Sequence, residues 1–399
     1  MAKKDKETIE KVVKMERLEK METSNALPEI SAATNKWMTK MMQSEKNIKG
    51  SDVIPKIKLE TQSVSLNWAL NGGFYKGYTT CLYGPEGSGK SLVSMMAAGA
   101  LMQQDPDAIV VLISTEFRPP VPSRLVKFGI DPRRLLIRQV NSLHDVFGWL
   151  ASDESKFKNT DGTTEEGFAF MLKDGAPIKG LIIDSIKGIQ GPKEQKSESV
   201  EKEIMGDLSK FLNPALRGVV ETVRKYDIMT IFIQQVNMNL DQDEVKYQNK
   251  KWVIPNGQSL KHFCEDMALV ERVTSKDSKI FSETMSQMRD IPVQEGHTVR
   301  VKVEKANLDS PNREAEFQIK YNTGIVNREL EVCKLAAGVG VINHPLNDKG
   351  GSINTQWQWI GSNGENKGKW IGWDNMLEYF EENQDKQAEL FKDILAKTK

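Results

Sequence analysis

Short apolar runs alternate with longer segments of helical periodicity over the middle of the chain. The runs are rich in β-branched residues and are separated by polar turns, which is typical of strands. Several are apolar at consecutive positions, so both faces must be covered, as in a parallel sheet between helices. The pattern predicts a doubly wound α/β core with a mostly parallel sheet. The candidate strands are YTTCLY from Tyr78, AIVVLIS from Ala108, LLIRQ from Leu135, GLIIDS from Gly180, MTIFIQQ from Met229 and MALVERV from Met267.

Two later runs alternate apolar and polar residues and predict an antiparallel hairpin at the sheet edge. They are RVKVEKA from Arg300 and AEFQIKY from Ala315, joined by the turn residues DSPN. Beyond them, ELEVCKLAAGVGVI predicts a short helix, and QWQWIGSNGENKGKWIG predicts a hairpin that turns at Asn363 and Gly364. Asp374 is expected to cap one final amphipathic helix. These elements predict a small C-terminal α+β module.

The N-terminal region is charged and has apolar residues three and four positions apart between Lys4 and Met21, which predicts a narrow-faced helix. Such a helix packs on its own domain or docks on another subunit, and the sequence leaves both open. A polar segment from Ser152 to Gly167 predicts a surface insertion without chemistry of its own. The predicted domains are an N-terminal helical or oligomerisation segment with its linker, 1–50, the nucleotide-binding core, 51–330, and the small C-terminal domain, 331–399.

Composition and charge exclude several classes of protein. The 399 residues are 39% hydrophobic and 28% charged, and Lys plus Arg equal Asp plus Glu at 55 each. A nucleic-acid partner would therefore meet local basic patches and not a general positive field. The three cysteines are widely spaced, as expected for free thiols in a reducing compartment. No run approaches the ~20 apolar residues of a membrane span, and the N-terminus lacks a signal-peptide core. We expect a cytoplasmic location without a membrane partner.

The segment after the first candidate strand carries a phosphate-binding pattern. Gly84 to Ser91 satisfy glycine, four residues, glycine, lysine and serine, ahead of an amphipathic helix predicted from Lys90 to Gln103. Glycines let successive backbone N–H groups face one anion, and the helix N-terminus adds positive charge. Lys90 is expected to contact the β- and γ-phosphates, and Ser91 to bind Mg²⁺. The predicted nucleotide contacts in this P-loop are Gly84, Pro85, Glu86, Gly87, Ser88, Gly89, Lys90, Ser91 and Leu92.

Two acidic residues follow neighbouring candidate strands. Asp184 closes GLIID, where an NTPase of this kind holds the metal or its water. Glu116 follows the AIVVLIST run at the same sheet edge, which is where open α/β folds bind ligands. Glu116 is therefore our candidate to activate or orient the attacking water. An ordinary cap for Asp184 and a surface carboxylate for Glu116 are the alternatives.

Several separate blocks follow one another between about Glu60 and Glu331. They are VSLNWALNGGFYKGYTTCLYGPEGSGKS, TEFRPPVPSRLVKFGIDPRRLLIRQ, LIIDSIKGI, TIFIQQVNM, NGQSLKHF and RVKVEKANLDSPNREAEFQIKYNTGI. In order and approximate spacing, these blocks resemble the RecA family of DNA recombinases. The pair EF at Glu116 and Phe117 is more similar to the phage UvsX branch than to the bacterial branch. The resemblance implies a RecA-like P-loop NTPase core.

The resemblance implies an ATP-dependent recombinase that forms a helical filament on single-stranded DNA and exchanges strands with homologous duplex DNA, using ATP and Mg²⁺. It implies that Glu116 activates water and that Gln235 senses the γ-phosphate. It also implies that Lys305 reaches the nucleotide of the adjacent subunit. Arg124 lies near the position where the family stacks a side chain on adenine. The family commonly has a second basic residue where this chain has Asn307.

Two loops are implied to bind DNA: Gly188 to about Glu203, and Asn237 to Asn256. Lysines in them suit phosphates, and aromatic rings suit bases. From composition alone, solvated loops are the alternative. Single-stranded-DNA-binding and mediator proteins are further candidate partners. The candidate DNA contacts are Lys187, Lys193, Lys196, Lys246, Tyr247, Lys250, Lys251 and Trp252.

Two other functions remain open at this point. A hexameric DNA helicase with the same fold would share the phosphate motifs, and a non-enzymatic regulator would use ATP only as a structural clamp. A GTPase is disfavoured because the chain lacks an Asn-Lys-x-Asp element. The histidines show no metal-ligand spacing, so Mg²⁺ is the metal we expect.

Overall fold

The chain separates into two compact units, Met1–Pro55 and Lys56–Lys399. The computed structural model describes residues 31–42, 57–192, 207–247, 251–275, 278–285, 292–307, 310–347 and 350–398.

The described part of the first unit is a single helix, Ala32–Met41. It begins after Ser31, whose side-chain oxygen accepts a hydrogen bond from the Thr34 backbone N–H at 3.2 Å. A hydroxyl in this position satisfies one of the free amides at a helix start. The helix expected between Lys4 and Met21 lies outside the described residues.

The second unit contains a large sheet with helices on both sides and a smaller strand-and-helix module. Its strands are β1 (Lys58–Leu59), β2 (Phe74–Tyr75), β3 (Thr79–Gly84), β4 (Ile109–Ser114), β5 (Leu135–Arg138), β6 (Phe157–Lys158), β7 (Thr164–Glu165), β8 (Ile178–Asp184), β9 (Met229–Gln235), β10 (Asn237–Met238), β11 (Trp252–Val253), β12 (Asp266–Arg272), β13 (Lys279–Met285), β14 (Pro292–Lys305), β15 (Glu314–Lys320), β16 (Gly324–Val326), β17 (Ile342–Asn343), β18 (Gln356–Ile360) and β19 (Asn366–Ile371).

Helices connect most of these strands. The α-helices of the second unit are Val64–Ala69, Lys90–Gln104, Pro122–Lys127, Trp149–Ala151, Phe168–Lys173, Asp207–Lys225, Gln242–Tyr247, Gly257–Phe263, Arg328–Gly338, Trp373–Glu382 and Gln384–Lys397. Short 3-10 turns span Pro132–Arg134 and Ile186–Gly188, and a π-helical turn spans His144–Gly148.

The large sheet has ten strands in the order β16-β15-β14-β12-β3-β9-β8-β4-β5, with β13 paired to β14. The six strands from β12 to β5 run parallel to one another. Strands β14, β15 and β16 add antiparallel pairs beyond β12. This arrangement confirms the predicted α/β core, including the antiparallel hairpin at its edge.

Alternate residues of each central strand enter two different hydrophobic cores. On β3, Leu82 packs in the core that includes helix Lys90–Gln104. Its neighbours Cys81 and Tyr83 pack in the core that includes helix Asp207–Lys225. Because successive strand side chains point to opposite faces, a strand covered on both sides must be apolar throughout. This explains the continuous apolar runs in the sequence. Cys81, Cys264 and Cys333 are buried free thiols.

The segment from Ser152 to Gly167 is not irregular throughout. It contains the antiparallel pair β6–β7 and contacts the body of the protein. Arg138 of β5 donates hydrogen bonds to Glu165 at 2.5 Å and to Asn159 at 2.8 Å. These contacts fix the segment against the edge strand of the sheet.

The C-terminal residues have a separate hydrophobic core beside the three-stranded sheet β17–β18–β19. The expectation of one final helix was wrong, because the chain forms two helices, Trp373–Glu382 and Gln384–Lys397. Phe380 and Ile394 are both buried in the same small core. One straight helix would separate these side chains by about 21 Å, so the helix must break for both to be buried.

Asp374 was also expected to be the N-cap, and this was wrong. It lies in the first turn, and Gly372 occupies the N-cap position with φ of 83°. A carboxylate in the first turn still interacts favourably with the helix dipole. Across the described residues, every helix is too short or too polar to cross a bilayer.

Candidate nucleotide site

The P-loop joins β3 to helix Lys90–Gln104 by a tight backbone path. A Cβ atom on Gly84 would lie 2.0 Å from the Val270 carbonyl oxygen, so only glycine fits there. Gly89 has φ of 103° and directly precedes the helix. Ser88 has a buried hydroxyl without a hydrogen-bond partner in the described part of the chain. The loop therefore has the geometry of an anion cradle at a helix N-terminus.

Lys90 lies inside this loop. Its ammonium donates hydrogen bonds to the carbonyl oxygens of Gly84 at 2.9 Å and Pro85 at 2.6 Å. Burial lowers the pKa of Lys90, while the carboxylates of Asp184, Glu116 and Glu86 raise it. These hydrogen bonds go to neutral carbonyl oxygens, so a polyanionic ligand would give the ammonium a directly bound anionic partner.

Asp184 ends β8 beside the first turn of the P-loop helix. The Ser91 hydroxyl donates a hydrogen bond to Asp184 Oδ2 at 2.6 Å. Burial raises the pKa of Asp184, and the hydrogen bond from Ser91 opposes that rise. A serine hydroxyl and a carboxylate are the oxygen ligands that Mg²⁺ uses in P-loop proteins.

Glu116 is held by the ends of two neighbouring strands. Its Oε1 accepts hydrogen bonds from Gln235 Nε2 at 2.6 Å and from the Ser185 hydroxyl at 2.8 Å. Its Oε2 lies 3.8 Å from the Arg118 guanidinium. Gln235 was expected here, whereas the sequence did not single out Ser185 or Arg118. Ser185 directly follows Asp184 in the sequence. That adjacency is the local signal that would have suggested Ser185.

A cavity of about 380 Å³ opens at this edge of the sheet. It lies beside Lys90, Ser91, Glu116, Asp184 and Gln235, all of which the sequence predicted. A polar part with an adjoining apolar part suits a nucleotide, whose phosphates and base need different surroundings. The rest of the lining includes Arg124 and the apolar side chains Leu92, Met95, Leu112, Leu125 and Phe128.

The residues around the cavity fit a nucleoside triphosphate with Mg²⁺. The unpartnered Ser88 hydroxyl, the buried Lys90 ammonium and the Ser91–Asp184 oxygen pair are three separate features that such a ligand would engage. Among the residues that the structure describes, no group of three or more His, Cys, Asp or Glu side chains could hold another metal. The side chains at this edge therefore fit a P-loop nucleotide site.

Comparison with known proteins finds similar chains. Residues 161–326 match the RecA N-terminal domain. Protein RecA of Leptospira biflexa serovar Patoc is 28% identical over 328 residues, which cover 82% of this chain and 71% of that protein. Protein RecA of Bordetella petrii is 26% identical over 333 residues, which cover 83% and 78%. Over these residues the chain is similar to proteins of the RecA family.

The crystal structure of the RadB recombinase is also similar to the RecA-like core. The match covers 67% of this chain and 98% of that chain, with 20% sequence identity and a TM-score of 0.43. The comparisons give no support to the hexameric-helicase alternative.

Lys305 lies outside the nucleotide cavity of its own RecA-like core. Its ammonium donates hydrogen bonds to the carbonyl oxygens of Lys261 and Cys264, each at 2.6 Å. Cys264 precedes Glu265, whose backbone N–H donates to Thr79 O at the start of β3. The P-loop follows the other end of that strand. Lys305 therefore acts on a nucleotide only if that nucleotide belongs to another chain.

The two loops implied to bind DNA begin side by side. Lys187, after β8, donates a hydrogen bond to the Asn237 side chain, after β9, at 3.4 Å. In the second loop, the Lys246 ammonium lies 5.3 Å above the Tyr247 ring, which is 75% exposed. Trp252 donates through its indole N–H to Glu271 at 2.9 Å, and Lys251 is exposed. Outside the described residues are Lys193, Lys196 and Lys250.

Proposed function

We propose that this chain is an ATP-dependent recombinase that assembles on single-stranded DNA and pairs it with homologous duplex DNA. The observation that supports this most directly is the cavity at the sheet edge, where Lys90, Asp184, Glu116 and Gln235 lie together. Gln235 is also only two residues before Asn237, where the second DNA loop begins. Nucleotide and DNA would therefore meet at one strand end.

In this proposal the P-loop amides and Lys90 hold the β- and γ-phosphates. Mg²⁺ bound near Ser91 and Asp184 would supply positive charge to the phosphates. Glu116 would accept a proton from the attacking water, with its carboxylate oriented by the hydrogen bonds from Gln235 and Ser185. Glu116 Oε1 receives both of these bonds, and Oε2, which lies 3.8 Å from the Arg118 guanidinium, is the oxygen that would accept from the water.

Coupling between ATP and DNA would run through Gln235. The Gln235 amide has two N–H donors, so one would keep its bond to Glu116 while the other donates to the γ-phosphate. Movement at the end of β9 would be passed to β10, and the Lys187–Asn237 contact joins that strand to the first loop. Because coupling free energy is reciprocal, DNA should then tighten ATP binding as much as ATP tightens DNA binding.

Filament formation would complete the site from a second copy of the chain, with Lys305 of one protomer reaching the nucleotide of its neighbour. The segment 1–50 is our candidate for oligomerisation, 51–330 for the ATPase core and 331–399 for an accessory domain. The EF pair at Glu116 and Phe117 supports a position near the phage UvsX branch.

A D-loop assay tests this function. The intact chain with ATP, Mg²⁺ and homologous DNA should form joint molecules, and Lys90→Ala should not, because it lacks the cation buried in the P-loop. Lys320→Ala is the matched control. Lys320 lies on β15, away from the cavity, and its ammonium is 3.4 Å from the Glu295 carboxylate. Failure of the intact chain to pair homologous strands would contradict the proposal.

A further inference from the structure

Arg118 lies at the mouth of the nucleotide cavity, and neither the motifs nor the resemblance gives it a role. It follows β4 after Phe117, whose backbone has φ of 55°. The Arg118 backbone N–H donates to the Ser114 hydroxyl at 3.2 Å. Pro119 and Pro120 come next and restrict the backbone on the other side. The turn therefore holds Arg118 at the sheet edge by several local constraints.

The Arg118 guanidinium bridges two parts of the site. It lies 3.6 Å from Glu86 of the P-loop and 3.8 Å from Glu116, the candidate water-activating residue. The Arg118 and Glu86 side chains are 76% and 79% exposed. The Glu116 side chain is only 27% exposed, and its distance of 3.8 Å from the guanidinium is long for an ion pair. Long ion pairs of an exposed guanidinium contribute little to stability, so a better anion would displace them easily. A guanidinium matches phosphate oxygens through two parallel N–H donors.

The balance of charges in the cavity also favours a phosphate as a partner of Arg118 in place of its carboxylates. The carboxylates that line the cavity balance its cations, so a triphosphate adds negative charge that must be met by cations already present or by Mg²⁺. Arg118 is the cation that can leave a carboxylate without losing a buried contact. The charged lining residues are Glu86, Glu116, Asp184, Lys90, Arg118 and Arg124.

We propose that Arg118 exchanges its two carboxylate partners for the terminal phosphate of the triphosphate bound in its own chain. It thereby supplies a cation for hydrolysis from the same chain that holds the phosphates. The exchange also releases Glu116 from an ion pair just when it must accept a proton. This inference rests on the proposed ATP hydrolysis, and it makes Arg118 a residue of the cis half of the site.

Steady-state hydrolysis on single-stranded DNA gives the first test. Arg118→Ala should lower kcat at least about tenfold with a smaller change in KM, since one preorganised donor contributes about 100-fold in a buried site and Arg118 is exposed. Arg118→Lys should retain part of kcat. Arg133→Ala is the matched control, because Arg133 is an exposed arginine paired with Asp131 at 2.8 Å outside the cavity. A kcat for Arg118→Ala equal to that of the intact chain would overturn the proposal.

Nucleotide binding separates this inference from the proposed function. The intact chain should bind a non-hydrolysable ATP analogue more tightly than ADP, and Arg118→Ala should lose about tenfold of that preference. If the intact chain shows this preference but forms no joint molecules, the recombinase proposal fails while the role of Arg118 stands. An unchanged preference in Arg118→Ala would overturn the role of Arg118, whatever the DNA assays show. Failure of the intact chain to bind either nucleotide would overturn both.

Mixed filaments distinguish a cis cation from a trans cation. Protomers with Lys305→Ala keep an intact P-loop, and protomers with Lys90→Ala keep an intact Lys305, so a mixture should regain hydrolysis at their shared interfaces. A mixture of Arg118→Ala with Lys90→Ala should regain none, because both changes affect the same half of the site. Recovery in the second mixture would show that Arg118 acts across the interface and would overturn the proposal.

Discussion

Asp184 and Glu331 are both buried carboxylates whose pKa is raised by burial, but they have different surroundings. Asp184 accepts one side-chain hydrogen bond, from Ser91 at 2.6 Å, and lines the nucleotide cavity. Glu331 Oε1 accepts three, from the Ser63 hydroxyl at 2.5 Å and from the Ser65 amide and hydroxyl, each at 2.7 Å. Asp184 thus faces the cavity with one donor, whereas three donors of its own chain hold Glu331 Oε1, and Glu331 Oε2 is buried without a hydrogen-bond partner among the described residues.

The difference in hydrogen bonding separates Asp184, a candidate site residue, from Glu331, a structural residue. Ser63 is the N-cap of helix Val64–Ala69, so Glu331 adds a second acceptor at that helix start and joins the C-terminal module to the core. Asp184 instead faces groups from other strands that a ligand would rearrange. Burial of a carboxylate therefore says little by itself, whereas the number of donors that it already has says whether a ligand is still needed.

The largest expected effect is on catalysis, at Asp184. Asp184→Asn keeps the hydrogen bond from Ser91 but removes the negative charge, so DNA-stimulated ATP hydrolysis should fall ~100-fold or more. The free energy of unfolding should change little, or rise, because a buried charge is removed. Phosphate release and denaturant unfolding of the same variant measure the two quantities. A large loss of stability with retained hydrolysis would remove the contrast with Glu331.

The next effect is on stability, at Glu331. Glu331→Ala leaves the buried Ser63 and Ser65 donors without their acceptor, so the free energy of unfolding should fall by about 3 kcal/mol. Hydrolysis per folded molecule should stay close to that of the intact chain, because Glu331 is not among the residues around the nucleotide cavity. Chemical denaturation and hydrolysis rates measured below the unfolding transition check both expectations. A stable variant that has lost hydrolysis would contradict them.

The smallest effect is the pH dependence that Glu331 confers. Its pKa is raised in the folded state, so the folded chain binds the proton more tightly than the unfolded chain. This stabilisation is complete below the unfolded pKa and is lost as the pH rises through the folded pKa. In Glu331→Gln the free energy of unfolding should therefore vary less with pH across that window than in the intact chain. Parallel curves for the intact chain and Glu331→Gln would contradict this assignment.

The parts of the site that are continuous in sequence could be predicted from the sequence. The contacts between segments that are distant in sequence could not. The path from β3 through the P-loop to Lys90 is continuous, so its motif also determines its geometry. Glu116 was proposed from its position after a strand, whereas Gln235 required the family resemblance, because the two side chains meet only when β4 and β9 end at the same edge. Arg118 was missed because its partner Glu86 is distant in sequence, although the two prolines after it indicate a restrained turn.

The same reasoning applies to the fold. Continuous apolar runs predicted the central strands, because a strand that is buried on both faces must be apolar at successive positions. The break between the last two helices at Asn383 was missed because apolar residues keep helical spacing on both sides of it. Only the shared burial of Phe380 and Ile394 in one small core requires the chain to turn there.

Calorimetric titration of ATP with Mg²⁺ tests the central claim most directly, namely that the cavity at the ends of β3, β4, β8 and β9 binds the nucleotide. The intact chain should bind one ATP per protomer, and Lys90→Ala should bind at least about tenfold more weakly because it lacks the buried cation. Equal affinity of the two proteins, or no binding by the intact chain, would show that this cavity is not the nucleotide site.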